Sequence, residues 1–346
     1  MSLVPTKTTL VKWITACVIG LGGAICAALT GLPAAALIGS AVAVSVAATA
    51  GVPMALPQRL RDVAFAIIGI SLGAGVEPGV LNQLGAWSIS LILLGGSLLA
   101  TMLAGAAMLR RWFALDGETA LLASSPGTMS NAIAIALDGH GDVTAITILQ
   151  VMRLLVLVAV VPLLAAAVDA PAAVGALAPP MKASALLLLL VLTLGLGISA
   201  ARFKLPAACL LFGMILSAGA HVGDLAHGPA PAWAIFASFA VTGTALGTRL
   251  TSISVRQLLV MGRAGVVLIG TSLVMSIGFA AMTVWLTGLP AGQVWIAYAP
   301  GGVEAMAAIG LALGYDPAFV ATHHFARILI LVFLVPVLLR QVRRSR

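Results

Sequence analysis

Residues 124–164 read SSPGTMSNAIAIALDGHGDVTAITILQVMRLLVLVAVVPLL, and residues 298–338 read YAPGGVEAMAAIGLALGYDPAFVATHHFARILILVFLVPVL. Laid over each other without a gap, the two stretches share two prolines, a glycine, an aspartate and an arginine. The shared pairs, each 174 positions apart (300 − 126 and 336 − 162), are Pro126 and Pro300, Gly127 and Gly301, Asp142 and Asp316, Arg153 and Arg327, and Pro162 and Pro336. These stretches indicate that the chain contains two copies of one unit.

The repeat extends through both halves of the chain. IGISLGAGVEPGVLNQL at 68–84 matches TGTALGTRLTSISVRQL at 242–258 with the same offset, and LPAAAL at 32–37 matches LPAACL at 205–210 with a one-residue slip. A duplicated apolar half with a broken segment and a buried charge is typical of transporters. We therefore predict a first membrane repeat at 1–168, an inter-repeat linker at 169–183 and a second membrane repeat at 184–346.

The composition is that of an integral membrane protein. The chain has 346 residues, of which 61% are hydrophobic and 8% charged, whereas a soluble domain carries about 25% charged residues. The apolar runs are long enough for spanning helices of about 20 residues. The three cysteines, Cys17, Cys26 and Cys209, lie within apolar runs and are interpreted as packing residues. We expect an all-α polytopic membrane protein.

Six apolar segments recur in each half, and the fifth of each is interrupted. Ser-Pro-Gly stands at 125–127 and Ala-Pro-Gly-Gly at 299–302. Proline removes a backbone hydrogen-bond donor, and glycine increases the conformational freedom of the backbone. The freed backbone groups need partners inside the bilayer, so such a segment cannot face lipid. It either spans the membrane as a broken helix or enters and returns on the same side.

The distribution of basic residues favours the re-entrant alternative. With a cytoplasmic N-terminus, it places fifteen of the 18 basic residues in the cytoplasm, Lys182 outside and two arginines within the membrane, as the positive-inside rule requires. The spanning alternative moves Arg202, Lys204, Arg249, Arg256 and Arg263 outside. Each half then has five spanning helices, so the second copy inserts upside down. We predict two inverted repeats of five transmembrane helices, each with a Pro-Gly-broken re-entrant hairpin, in the inner (plasma) membrane with both termini cytoplasmic.

Arg153 and Arg327 are charges inside apolar segments. Each lies eleven residues after an aspartate, which is roughly 16 Å along a helix and close to the middle of a ~30 Å hydrocarbon core. A charge there costs at least about 2.5 kcal/mol, so it must face protein or water. Two roles are open. The arginines either pair with Glu304 or with carbonyls and so hold the broken helix, or they clamp a carboxylate or phosphate substrate.

Polar residues and glycines surround the two breaks. After each break a half-helix begins, whose free amides and positive dipole end suit an anionic group, whereas unwound carbonyls would suit Na⁺. The predicted substrate-binding residues are Arg153, Arg327, Ser125, Gly127, Thr128, Ser130, Asn131, Gly301 and Gly302.

Glu304, His323 and His324 are the predicted ion-coupling residues. A carboxylate near the midplane could carry a proton or act as a static partner of an arginine. His323 shares a helix face with Arg327, four residues later, and histidine carries protons near neutral pH. Adjacent histidines point about 100° apart on a helix, so no metal site is expected. Asp142 and Asp316 are expected to cap the helices that follow them.

Enzymatic and nucleic-acid-binding motifs are missing from the sequence. No hydrolase elbow, P-loop or dinucleotide fingerprint occurs. The net charge of +8 comes from basic residues placed in ones and twos, with no DNA-binding motif. We expect neither an enzyme, nor a cofactor, nor a nucleic-acid partner. The expected partners are the lipid bilayer and a small anionic substrate, and homo-oligomerisation is left open.

The segment APGGVEAMAAIGLALGYDPAFVATHHFARILILVFLVPVL at 299–338 resembles the signature of the AbrB-duplication membrane protein family. The first copy departs from that signature, with Thr128 for the second glycine and Leu149-Gln150 for the histidine pair. The resemblance covers essentially the whole chain. It implies a bacterial membrane protein of a family labelled ammonia monooxygenase or AbrB-type regulator. The family more distantly resembles the cation–proton antiporter and anion transporter superfamily, whose fold has crossed discontinuous helices. The matching residues are Pro300, Gly301, Gly302, Asp316, His323, His324 and Arg327.

These features together predict a secondary transporter of a small organic anion, which works by alternating access with H⁺ or Na⁺ coupling. One alternative is a membrane regulatory protein that affects gene expression indirectly. A second alternative, a membrane oxygenase, is disfavoured because a copper oxygenase needs clustered ligands. The five histidines are scattered, except for one adjacent pair.

Overall fold

The computed structural model describes residues 6–76, 85, 87–126, 129–168, 179–200 and 207–344, but not the side chains of Ser130 and Asn131. Within these ranges all regular structure is helical. Six helices are long and apolar enough to cross a membrane, and three shorter apolar helices accompany them. The predicted all-α protein of the membrane type is confirmed. Most of the predicted linker, at 169–178, lies outside the described residues.

The helix order repeats as the sequence does. The first half contains α1 (Lys7–Ala28), α2 (Ala35–Thr49), α3 (Gln58–Gly73), α4 (Ser88–Phe113), α5 (Gly117–Ser124), α6 (Met129–Leu137) and α7 (Val143–Val168). The second half contains α8 (Ala183–Ala200), α9 (Ala208–Val222), α10 (Ala232–Gly247), α11 (Val255–Thr287), α12 (Ala291–Tyr298), α13 (Val303–Ala312) and α14 (Pro317–Arg344). A 3₁₀ helix at Thr248–Ser252 follows α10. The bounds of α3 and α10, and those of α5 and α12, differ by 174 positions at both ends (232 − 58 and 247 − 73; 291 − 117 and 298 − 124).

Helices α5 and α12 both end two residues before a proline. The residue that precedes each proline, Ser125 or Ala299, is extended, with ψ of 120° and 130°. The proline ring disfavours helical backbone at the preceding position, so the helix cannot continue. The predicted interruption of the two fifth segments is therefore present in both halves.

The chain divides into two compact units, and each contains helices from both halves. The first comprises Met1–Asn82, Pro162–Ser252 and Glu304–Ala318, with α1 to α3, α8 to α10, the end of α7 and nearly all of α13. The second comprises Gln83–Val161, Ile253–Val303 and Phe319–Arg346, with α4 to α6, α11, α12 and most of α7 and α14. Each sequence repeat thus contributes helices to both compact units.

Helices of the first unit approach closely at glycines. Each of two such contacts joins a helix of one copy to a helix of the other copy. A Cβ on Gly69 of α3 would lie 2.2 Å from the carbonyl oxygen of Leu210 on α9. A Cβ on Gly243 of α10 would lie 2.2 Å from the carbonyl oxygen of Leu37 on α2. Gly243 is the equivalent of Gly69, and Leu210 is the equivalent of Leu37. The two helix pairs are thus reciprocal, as two-fold pseudosymmetry requires.

The second unit is organised around α4 and its equivalent, α11. These two long helices pack against each other, α5 packs on α4, and α12 packs on α11. The approach of α5 is close, because a Cβ on Gly105 of α4 would lie 2.7 Å from the hydroxyl of Ser124. Helices α4 and α11 therefore position the first helix of each interrupted segment.

The two ends of the first interrupted segment lie beside each other. The backbone N–H of Asp142, just before α7, donates to Oγ1 of Thr119 on the first turn of α5 at 2.8 Å. Nδ1 of His140 lies 3.3 Å from one carboxylate oxygen of Glu118. The other oxygen lies 3.3 Å from Nε of Arg343, near the end of α14. This cluster joins the beginnings of α5 and α7 to the end of α14.

Candidate functional site

Arg153 lies in α7 and binds the end of α5. Its side chain is fully buried. Nη2 donates to the carbonyl oxygen of Ser125 at 2.8 Å, and Nη1 lies 3.3 Å from the carbonyl oxygens of both Ala123 and Ser124. The last carbonyls of a helix have no partner within it, and here the guanidinium group supplies one. Its positive charge also lies at the negative end of the helix dipole.

Arg327 repeats this arrangement in the second copy. It is fully buried in α14, and it donates from Nη1 to the carbonyl oxygen of Ala299 at 2.6 Å and from Nη2 to that of Gly301 at 2.8 Å. Ala299 is the equivalent of Ser125 (299 − 125 = 174), so each arginine binds the carbonyl that precedes its proline. Bonds to the carbonyls at the breaks are therefore present in both copies, and anion binding stays a prediction.

The two guanidinium groups bring like charges into one buried region of the second unit. Their charges repel each other. Among the residues that the structure describes, no carboxylate forms an ion pair with Arg153. Carbonyl dipoles offset only part of the cost of burying such a charge, which is several kcal/mol. A bound anion would therefore be stabilised near these groups.

Arg153 retains a hydrogen-bond donor that its carbonyl contacts do not use. Within the described part of the chain, its Nε is buried and has no hydrogen-bond partner. A guanidinium group has five N–H donors in a fixed plane. Arg153 can therefore hold the end of α5 and still donate to a ligand.

The aspartates before α7 and α14 cap these helices, as predicted. Oδ1 of Asp142 accepts from the backbone N–H groups of Thr144 and Ala145 at 2.8 and 3.1 Å. Oδ1 of Asp316 accepts from the N–H of Ala318 at 2.8 Å. The caps fix where α7 and α14 begin. They therefore also fix how far along its helix each arginine lies, eleven residues after the aspartate.

Part of the predicted substrate site lies among the described residues. Ser125 and Gly301 take part through the carbonyl oxygens that accept from the arginines. Gly302 is half-buried. Gly127 and Thr128 lie outside the described residues, and so do the side chains of Ser130 and Asn131. Contact of these groups with a substrate stays a prediction.

His323 is the centre of a buried hydrogen-bond network beside the second break. Its Nδ1 donates to the carbonyl oxygen of Phe319 at 2.8 Å, and its Nε2 lies 2.6 Å from Oγ of Ser90 on α4. The hydroxyl of Tyr298, at the end of α12, donates to the carbonyl oxygen of Ser90 and lies 2.8 Å from Oγ1 of Thr283 on α11. The network therefore connects α4, α11, α12 and α14.

His324 and Gln150 occupy equivalent positions but differ in their contacts. Nε2 of Gln150 donates to the carbonyl oxygen of Leu122 on α5 at 2.9 Å. Both ring nitrogens of His324 are buried, and neither has a hydrogen-bond partner within the described ranges. Gln150 thus adds a further bond at the first break, whereas His324 adds no bond of this kind at the second.

Glu304 falls in the first compact unit, whereas Arg153 and Arg327 belong to the second. Within the first unit, its carboxylate interacts electrostatically with Arg249 of the 3₁₀ helix. The positive-inside count treats Arg249 only as a cytoplasmic charge. Arg249 is therefore a cation near Glu304 that sequence reasoning missed.

Sequence reasoning also missed Ser90, Tyr298 and Thr283. These residues carry no charge, and a hydroxyl within a helix commonly bonds to its own backbone. One positional signal was present, because Tyr298 is the last residue before Ala-Pro-Gly-Gly. Their connection to His323 depends on how α4, α11 and α12 pack, which no local pattern encodes.

Known proteins resemble this chain over most of its length. The family described as "Transition state regulatory protein AbrB" matches residues 36–343. The "Putative regulator AbrB" of Escherichia coli (strain K12) is 24% identical over 339 residues, which cover 95% of this chain and 96% of that protein. The "Uncharacterized protein YhjN" of Bacillus subtilis (strain 168) is 27% identical over 296 residues, which cover 78% and 75%. Both breaks and both buried arginines lie within the matched region.

Proposed function

This chain belongs to the AbrB family, and we propose that it is a secondary transporter that moves a small organic anion by alternating access. The observation that carries the proposal is the matched pair of fully buried arginines. Each binds the carbonyls at one of two equivalent helix breaks. Inverted-repeat transporters bind their substrates at such breaks near the bilayer midplane.

The electrostatics of the breaks favour an anion. Two positive charges repel each other there, and a half-helix begins after each break, at Met129 and at Val303. The N-terminus of a helix carries a partial positive charge and free N–H groups. An anion bound beside the two arginines would relieve the repulsion, whereas a cation would increase it.

A carboxylate is the anion that fits the arginines. Arginine binds carboxylates through a planar fork of N–H groups, and such charge-assisted bonds are about twice as strong as neutral ones. The unused Nε of Arg153 adds a donor for this purpose. Small organic acids are therefore the proposed substrates.

The proposed topology includes re-entrant hairpins. The contacts of Thr119 with Asp142 and of Glu118 with His140 support a first segment that returns to the side from which it enters. A continuous helix over 117–137 would separate its ends by about 30 Å, and these contacts would be broken.

The same cluster supports an inverted repeat. Helix α7 begins at it, whereas α14, the equivalent of α7, ends at it through Arg343. Equivalent helices therefore have opposite directions there, as inverted copies require. Gly69 and Gly243 in the first unit also make the reciprocal contacts that are expected of two copies related by a two-fold axis.

We place the protein in the bacterial inner membrane with both termini in the cytoplasm, as the positive-inside rule indicates. Single cysteines at Asp224 and at Arg111, in a cysteine-free background, test this topology. An impermeant thiol reagent applied to sealed cells should label the cysteine at 224 and spare the one at 111. The opposite pattern would show that the orientation is reversed.

Ligand binding by the purified protein tests the proposed anion site. Succinate, citrate and gluconate are added separately, and thermal unfolding is followed in detergent. A ligand at 100 times its Kd stabilises a folded protein by about 2.7 kcal/mol, so one of these anions should raise the Tm. Arg327→Lys should weaken the shift because lysine lacks the planar fork, and Arg263→Lys on the exposed face of α11 should leave it unchanged. The absence of any shift with the parent protein would contradict the proposal.

A regulatory role is the second candidate, and the names of the family and of the Escherichia coli relative favour it. In that case the protein would bind a ligand or a partner and affect gene expression indirectly. Binding without uptake in proteoliposomes would support regulation, and saturable uptake would support transport.

A further inference from the structure

We infer that the coupling ion is a proton, that Nε2 of His323 binds it, and that it moves in the same direction as the anion. This inference rests on the proposed transport function and names its coupling mechanism. It is carried by the hydrogen bonds that surround His323 in the second compact unit.

The network around His323 accommodates both protonation states of the imidazole. Nδ1 faces the carbonyl oxygen of Phe319 and therefore carries a hydrogen in either state. In the neutral ring, Nε2 accepts from the hydroxyl of Ser90 at 2.6 Å. In the charged ring, Nε2–H donates to that hydroxyl, which turns to donate to the carbonyl oxygen of Trp87 at 2.9 Å. Rotation of one hydroxyl thus keeps every group hydrogen-bonded when the proton binds or leaves.

Aromatic rings around His323 suit a transient positive charge. The Phe319 ring centroid lies 3.9 Å from that of His323, and the rings of Tyr298 and Trp87 lie 6.3 and 6.4 Å away. Ring faces attract a cation within about 6 Å, and of the three rings that of Phe319 lies inside this distance. The titratable or charged side chains that face His323 in the second unit are Tyr298 on α12 and, on its own helix, His324 and Arg327. Its described partners on α4 are uncharged, and so is Thr283 on α11.

Arg327 provides the link between proton and anion. It lies one helical turn after His323, so its positive charge opposes protonation of the imidazole. An anion bound to Arg327 would cancel that charge and favour protonation. By reciprocity, protonated His323 would strengthen anion binding by the same factor. The two ligands would then bind and leave together, which is symport.

The described carbonyls at the breaks are unsuited to Na⁺. Their unwound carbonyls, at Ser125, Ala299 and Gly301, accept hydrogen bonds from guanidinium groups. A sodium ion on these oxygens would lie next to an arginine and be repelled by it. The first copy offers no second proton site at the equivalent position, because Leu149 stands there. We therefore expect one coupled proton per anion.

Uptake into proteoliposomes under a proton gradient tests the inference. Radiolabelled succinate, citrate and gluconate are the probes, because these anions do not cross bare bilayers readily. For one coupled proton, an inside-alkaline gradient of one pH unit should raise the accumulation ratio of the transported probe by about tenfold. Uptake that is indifferent to this gradient would overturn proton coupling and leave anion transport standing.

Variants test whether His323 is responsible for the response of uptake to the proton gradient. His323→Leu installs the residue of the first copy and should abolish the response to the gradient. Ser90→Ala removes the rotating hydroxyl and should reduce that response, even if His323→Leu does not fold. Ser97→Ala, which changes a buried serine on the same helix, serves as the control. An unchanged response in folded His323→Leu or in Ser90→Ala would overturn the assignment.

The protonation of His323 can also be followed without transport. ¹⁵N-histidine labelling of the parent, with His323→Leu to assign the signal, reports its two ring nitrogens. As the pH is lowered over the range in which the parent stays folded, the Nε2 signal should change from that of an unprotonated nitrogen to that of a protonated one. If no probe is taken up, the transport proposal fails, and an Nε2 signal that stays unchanged over this range overturns the proton site independently.

Discussion

The two helix breaks share one framework and differ in what surrounds it. At the first, Arg153 binds the end of α5, with Gln150 bonded to the same helix. At the second, Arg327 binds the end of α12 in the same way. There His324 takes the place of Gln150, and His323 takes the place of Leu149.

The difference distinguishes contacts that both breaks need from contacts that only one copy has. What both copies retain is an arginine on the carbonyl before a proline. It supplies a donor that both breaks need, since each ends a helix within an apolar segment. What only the second copy has, the network of His323, Ser90 and Tyr298, is not needed to end a helix. The shared part is therefore the scaffold of the site, and we assign the coupled proton to the part that differs.

Loss of either arginine should have the largest effect on stability. Arg153→Met or Arg327→Met leaves the break carbonyls buried without their donors, and we expect a loss of about 1–3 kcal/mol for each carbonyl left without a donor. Arg263→Met, at an exposed position, is the control. Thermal unfolding in detergent measures the loss. A large loss in one copy alone would show that the two breaks are not equivalent.

The glycine contacts of the first unit test the equivalence of the copies independently of the site. Gly69→Ala and Gly243→Ala each place a Cβ 2.2 Å from a carbonyl oxygen, and overpacking of this kind costs about 1–3 kcal/mol. The two losses should be similar, as read from the Tm values. Gly270→Ala, where a Cβ meets nothing within 4 Å, should cost nothing. A cost at only one of the first two positions would contradict the reciprocal packing.

Gln150 and His324 should respond differently to loss of their polar groups. Gln150→Leu removes the bond to the Leu122 carbonyl and should cost about 0.5–1.5 kcal/mol. His324→Leu removes buried ring nitrogens that have no partner within the described ranges, so it should be neutral or stabilising. Unfolding in detergent compares the two variants with the parent. Equal costs would mean that His324 has a bonding role like that of Gln150.

The smallest effect is expected at the base of the first interrupted segment. Glu118→Gln weakens the pairing with His140 and Arg343, which should cost about 1 kcal/mol or less. The second copy has Gly292 at the equivalent position, so the carboxylate is absent from that copy's sequence. The difference in Tm between parent and variant should shrink at high salt. A difference that is independent of salt would argue against an electrostatic contribution.

Much of this arrangement was predictable from the sequence, because it is encoded locally. The paired Pro-Gly sequences predicted both breaks, and the 174-residue offset predicted the repeated helix order. Asp142 and Asp316 act as caps within their own turns, so spacing alone identified them. The arginines were recognisable as rare charges in apolar helices.

What the sequence did not predict depends on contacts between distant segments. Ser90 meets His323 across 233 positions of the chain, and no periodicity signals such a pair. The compact units could not be predicted from the repeat either, since each takes helices from both halves. Arg249 was missed as a neighbour of Glu304 because its position at a helix end suggested a solvated charge.

Uptake of a labelled carboxylate by the reconstituted protein tests the central claim most directly. The account predicts saturable uptake of succinate, citrate or gluconate above that of protein-free liposomes. It predicts a fall of about tenfold or more in Arg327→Lys, since a lysine point charge cannot replace the planar fork, and no change in Arg263→Lys. Uptake by the folded parent that never exceeds that of protein-free liposomes, or that Arg327→Lys leaves intact, would contradict it.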